Sequence, residues 1–155
     1  SQEGVYQHYK MISENCPLPI IVYNVPGRTA SNISTETTLR LANDFENIVA
    51  IKEASGDMDQ IMKIIKDKPS GFVVLSGDDG LTLPMIHMGA EGVISVIGQS
   101  HPKEYSDMVS FGIGDHGTEI SRYQLADTMD RDELDHHIDL VSNAYIELAT
   151  QYGLS

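Results

Sequence analysis

Short apolar runs recur along the chain at 19–23 (PIIVY), 48–52 (IVAIK), 72–75 (FVVL) and 92–96 (GVISV). Each is rich in β-branched residues and none alternates apolar with polar, the pattern of strands covered on both faces in a parallel sheet. Between them the period lengthens. Segments 35–43 (TETTLRLAN), 57–66 (DMDQIMKIIK) and 81–88 (LTLPMIHM) carry apolar positions at helical spacing, with Pro84 in the first turn of the last or kinking it. The alternation predicts a parallel α/β fold, because parallel neighbours need a long crossover and a helix supplies it. Beyond about residue 108 the character changes. Positions 112–117 (GIGDHG) read as a loop, and from Arg131 onward Leu134, Ile138, Val141, Tyr145 and Leu148 recur at steps of 4, 3, 4 and 3. That is one apolar helical stripe, suited to packing on the protein itself or on a partner chain.

In parallel α/β folds functional groups come from the C-terminal strand ends and the loops that follow. Lys52 ends the second run, directly behind four apolar residues. An amine half-sheltered there has its charged form disfavoured, which frees its lone pair to attack a carbonyl. The alternative is a lysine with a buried stem and a solvated head, paired with Glu53. After the first run comes Tyr23-Asn24-Val25-Pro26-Gly27-Arg28-Thr29. Pro26-Gly27 fits the centre of a type II turn that holds Arg28 in place. The arginine fork suits a carboxylate, and Tyr23 can give or take a proton beside a reacting carbonyl. Taken singly, they read equally as a tyrosine at the rim of the core and an arginine on a solvated loop. Two strand-to-helix joints share a tripeptide, Ser55-Gly56-Asp57 and Ser76-Gly77-Asp78, in which glycine permits the turn and aspartate caps the helix.

Charge narrows the partners. Acidic residues outnumber basic ones 23 to 10, a formal charge of −13, and no cluster of Lys or Arg exists to neutralise phosphates. Nucleic acid and anionic membrane are therefore excluded as partners. The single cysteine, Cys16, forms no internal disulfide, and the first residues show neither a basic nor an apolar leader segment. The expectation is a reduced, cytoplasmic protein. Asp78-Asp79 is explained by helix capping rather than a metal. Asp135-His136-His137 with Asp139 reads as a solvated face, since adjacent helical histidines diverge by about 100°.

YNVPGRT, IKEASGD with its lysine 24 residues after Arg28, LSGDD and GVISV stand in an order that resembles the second half of the dihydrodipicolinate synthase family. That family belongs to the pyruvate-dependent class I aldolases related to N-acetylneuraminate lyase. The resemblance covers roughly 4–108 and implies an α/β fold of the (β/α)8 TIM-barrel type, this chain supplying strands five to eight. It divides the chain into half a barrel (1–108) and a helical segment of uncertain origin (109–155). It implies Lys52 as the Schiff-base lysine for pyruvate, Tyr23 as a proton relay, and Arg28 as the ligand of the carboxylate of aspartate semialdehyde. Gly77 and Ile94 match positions whose backbone lies against the lysine and the bound pyruvate. No metal or organic cofactor is implied, and the family forms homo-oligomers, dimers or tetramers. Relatives acting on N-acetylneuraminate or sugar acids share the tyrosine and lysine but generally lack the arginine. The family's first four strands, with the threonine pair that completes the relay, have no counterpart here, so a non-catalytic half-barrel is the competing expectation.

Overall fold

The computed structural model describes residues 1–114. The stripe expected from Arg131 onward and the Asp135 to Asp139 constellation lie outside the described residues, as does most of the 109–155 segment. Four parallel strands stand side by side in chain order: β1 (Ile20–Asn24), β2 (Ile48–Glu53), β3 (Val73–Ser76) and β4 (Gly92–Val93). Six α-helices accompany them: α1 (Gln2–Asn15), α2 (Pro26–Thr29), α3 (Thr35–Asp44), α4 (Met58–Asp67), α5 (Thr82–Met88) and α6 (Pro102–Ile113). A single 3₁₀ turn, Ile97–Gln99, precedes α6.

The register sets which side chains share a face. Val22 pairs with Ile51 and Ile51 with Val74, while Asn24, Glu53 and Ser76 form the next row on the same side. All six are buried, and around this face Ile61 and Ile64 of α4 and Met85 of α5 are wholly inaccessible. Each buried isoleucine contributes about 2 kcal/mol of transfer free energy. The opposite face carries Ile21, Tyr23, Lys52 and Leu75. The runs predict cover on both faces; Ile21 and Tyr23 are 47% and 44% exposed, so this second face is open along β1.

Local chemistry explains where the elements start and stop. The Ser34 hydroxyl accepts from Thr37 N at 3.3 Å to cap α3, and the Asp57 carboxylate accepts from Gln60 N at 3.0 Å to cap α4. The last strand is shorter than its apolar run. Ile94 N still donates to Ser76 O, but Val96 N and Ile97 N donate to the Asp79 carboxylate instead of a neighbouring strand, and the chain leaves the sheet.

Two local expectations are corrected. Pro26-Gly27 does not form a type II turn: Gly27 is absent from the positive-φ residues, and Arg28 N and Thr29 N both donate to Val25 O, which makes α2 a turn of helix with Pro26 at its first position. Gly112 and Ile113 are not loop but the end of α6. A Cβ at Gly112 would lie 2.6 Å from Leu83 Cδ1, so this glycine serves the close approach of α6 to α5 rather than a turn. Among the described residues no helix is long and apolar enough to cross a membrane.

Candidate active site

Tyr23 and Lys52 are register partners at the C-terminal ends of adjacent strands, both on the open face. Lys52 Nζ lies 4.2 Å from the centroid of the Tyr23 ring, close enough for a cation–π contact. Lys52 is partly buried, with Leu75 as its register partner on the other side. Glu53 is not its counter-charge. Consecutive strand residues point to opposite faces, and Glu53 is 0% exposed on the helix-covered side.

Gly77 borders the lysine directly. A Cβ there would stand 2.8 Å from Ala54 Cβ, 3.0 Å from Lys52 Cε and 3.1 Å from Lys52 Cγ. The two Ser-Gly-Asp joints therefore use glycine differently: Gly56 adopts φ 75°, whereas Gly77 supplies space for the lysine stem. Gly77 N donates to Glu53 O at 2.8 Å, which continues the strand pairing by one residue and fixes that backbone against β2. Asp57 caps its helix, while Asp78 receives Gly80 N and Leu81 N and closes a turn before α5.

Ile94 sits just beyond β4, 42% exposed, with its amide on Ser76 O at 2.9 Å. Its backbone is thus tied to the strand that delivers Gly77. Arg28 lies exposed on α2, a short way past Tyr23. Tyr23, Lys52 and Gly77 come together; Arg28 is on the connection that leaves the same strand end. From α1, burial holds the Tyr9 phenol above its ordinary pKa, with the backbone of Tyr23 acting the other way.

A set of polar residues escaped the sequence reading. Behind the site Glu53 accepts from Asn24 Nδ2 (3.1 Å to Oε1, 3.0 Å to Oε2), Ser55 N (2.7 Å) and Gln60 Nε2 (3.3 Å). Asn24 and Gln60 also bind Asn32, and Asn24 Oδ1 accepts from Ile33 N at 3.0 Å. The signal was available: Asn24 and Glu53 are the only polar residues at the buried-face positions of β1 and β2.

A sequence model described as the Dihydrodipicolinate synthetase family matches residues 1–125. The chain belongs to the dihydrodipicolinate synthetase family. It is 56% identical over 132 residues to a 4-hydroxy-tetrahydrodipicolinate synthase of Flavobacterium psychrophilum, an alignment covering 84% of this chain and 45% of that relative. The crystal structure of dihydrodipicolinate synthase from Aquifex aeolicus superposes with a TM-score of 0.71 at 45% identity, over 73% of this chain and 39% of the other. A chloride-inhibited dihydrodipicolinate synthase from Acinetobacter baumannii, complexed with pyruvate, superposes with a TM-score of 0.70 at 43% identity, over 73% and 38%. The four parallel strands and their helices match the (β/α)8 barrels of this family. The chain spans less than half the length of these relatives.

Proposed function

We propose that the chain is the lysine-bearing portion of a 4-hydroxy-tetrahydrodipicolinate synthase, which condenses pyruvate with aspartate semialdehyde in lysine and diaminopimelate biosynthesis. The observation that carries this reading is the placement of Lys52 on the open sheet face, its Nζ over the Tyr23 ring and its stem in the space left by Gly77. The Acinetobacter relative's pyruvate supports the choice of ketone.

The amine of Lys52 adds to the ketone carbon of pyruvate, and water leaves to give a protonated imine. Tyr23 passes protons between that nitrogen and the departing oxygen. The iminium accepts the electron pair released when a methyl proton is lost, and the resulting enamine carbon attacks the aldehyde carbon. The aldehyde oxygen gains a proton as the new carbon–carbon bond forms. Arg28 binds the carboxylate of the aldehyde, which favours this substrate over sugar acids. The lysine is its own electron sink, so no metal or organic cofactor takes part in these steps. On this reading the protein works in the cytoplasm as a homo-oligomer.

The test is incubation of the chain with pyruvate and borohydride, followed by intact mass and peptide mapping. The expected outcome is one reduced adduct on Lys52, absent in Lys52→Ala. A folded sample with no adduct, or an adduct elsewhere, overturns the assignment and leaves a non-catalytic half-barrel. A chain of these 155 residues is expected to form the adduct with little or no turnover, because the family's threonine pair lies on strands it does not include.

A further inference from the structure

The two faces of the sheet are mechanically linked at one row. Asn24, Glu53 and Ser76 form the last buried register row, and each of the first two directly follows a residue of the candidate site, Tyr23 and Lys52. Glu53 is 0% exposed and Asn24 1%. A carboxylate so placed is costly unless its oxygens are fully hydrogen-bonded. Every partner of these two oxygens donates: Asn24 Nδ2 to both, Ser55 N to Oε1 and Gln60 Nε2 to Oε2.

These donors come from three separate pieces of chain. Asn24 belongs to β1, Ser55 to the turn after β2 and Gln60 to α4. A second ring of bonds brings in a fourth piece, the connection from α2 to α3. Asn32 Nδ2 donates to Gln60 Oε1 at 2.8 Å, Asn24 Nδ2 donates to Asn32 Oδ1 at 2.8 Å, and Gln60 Nε2 donates to Ile33 O at 3.2 Å. That connection returns from the turn bearing Arg28. We propose that Glu53 is a positioning residue: its buried carboxylate holds Asn24, Ser55 and Gln60, and through them fixes Tyr23 against Lys52 and anchors the connection from Arg28. The consequence for catalysis rests on the function proposed above, whereas the consequence for geometry does not.

Glu53→Gln tests it with almost no change of shape. One oxygen becomes an amide that faces donors only, so the hub loses at least one partner. Two readouts separate the geometry from the chemistry. The first needs no substrate: in the wild-type chain Lys52 Nζ lies over the Tyr23 ring, so the adjoining ε-methylene protons are expected to resonate upfield of those of the other lysines. In Glu53→Gln that shift is expected to collapse toward the values of the other lysines. The second is the pyruvate and borohydride trapping rate per folded molecule, expected to fall about tenfold or more, since small misplacements of reacting groups have effects of this order.

Ile61→Val, a core change outside the hub, serves as the comparison: it is expected to lower the melting temperature but to leave both readouts unchanged. Gln60→Met removes one donor from the side of α4 and keeps the test open if Glu53→Gln does not fold; a smaller loss of the upfield shift is expected. If a folded Glu53→Gln or Gln60→Met retains the Lys52 shift, the positioning role is overturned and the hub serves stability alone. If the shift collapses while the wild-type chain forms no pyruvate adduct, positioning stands and the synthase reading falls.

Discussion

Lys52 occupies room that exists because Gly77 has no Cβ. Ala54 is the decisive neighbour, since its Cβ is short and fixed at 2.8 Å from the position a side chain at 77 would take, whereas the lysine methylenes can swing aside. Gly77→Ala is therefore expected to cost about 1–3 kcal/mol through local overpacking and to turn the lysine stem away from Tyr23. Urea unfolding measures the first effect. Pyruvate and borohydride trapping, expected to slow about tenfold or more, measures the second. Unchanged stability and trapping would show that the backbone yields and the glycine is dispensable. At this scale the strand-end placement of Tyr23 and Lys52 was legible from sequence, since each closes an apolar run, whereas their chemical roles came only with the family resemblance. The alternative reading that pairs Lys52 with Glu53 fails: adjacency in sequence suggests pairing, but strand alternation sends the two to opposite faces. The role of Asn24 needed the register, which no single run reveals.

Among the elements, α6 is held to the turn after β3 and to α5 by one phenol. Tyr105 Oη lies 2.8 Å from Thr82 Oγ1 and 3.0 Å from Asp79 O, and Asp79 in turn receives the amides of Val96 and Ile97 with its carboxylate. Burial pushes the Tyr105 phenol up to about 12. A folded-state pKa above the unfolded value of about 10 means the unfolded chain loses this proton first as pH rises. The associated stability is fully present below about pH 10 and is lost between there and about pH 12. Tyr105→Phe is expected to lower stability at neutral pH by about 1 kcal/mol and to flatten the alkaline decline in that window, as read from urea midpoints across pH. An unaltered decline would assign it to other tyrosines. Three strands were legible to within a residue at each end, because β-branched apolar runs behave alike wherever they occur. The first helix was not expected, although Val5, Tyr9 and Ile12 lie one helical turn apart and Tyr6 docks on α3 by a hydrogen bond to Asp44 at 2.7 Å. The Pro26-Gly27 turn was misjudged because Pro favours both turn and helix starts, and only the φ of Gly27 separates them.

For the molecule as a whole, the open face is the main physical fact. Among the described residues Ile21, Tyr23 and Ile94 are each more than 40% exposed, and β1 and β4 each pair on one side only. In a closed barrel such residues point inward, and closure removes both edges. The barrel family and the half-barrel that goes with it were both legible in four motifs, and side-chain exposure adds which residues the open face leaves uncovered. Co-expression with a chain carrying the family's first four strands is expected to give a complex in which Tyr23 and Ile21 are shielded. Dye binding to exposed apolar surface should then fall, and synthase turnover should appear that neither chain shows by itself. The net charge of −13 opposes self-association of this chain, and does so less at about 0.15 M salt than in dilute buffer. A complex without turnover would mean that the strand ends do not meet in catalytic register. No complex at any salt concentration would mean that the exposed face is compatible with folding but not with barrel closure from two chains.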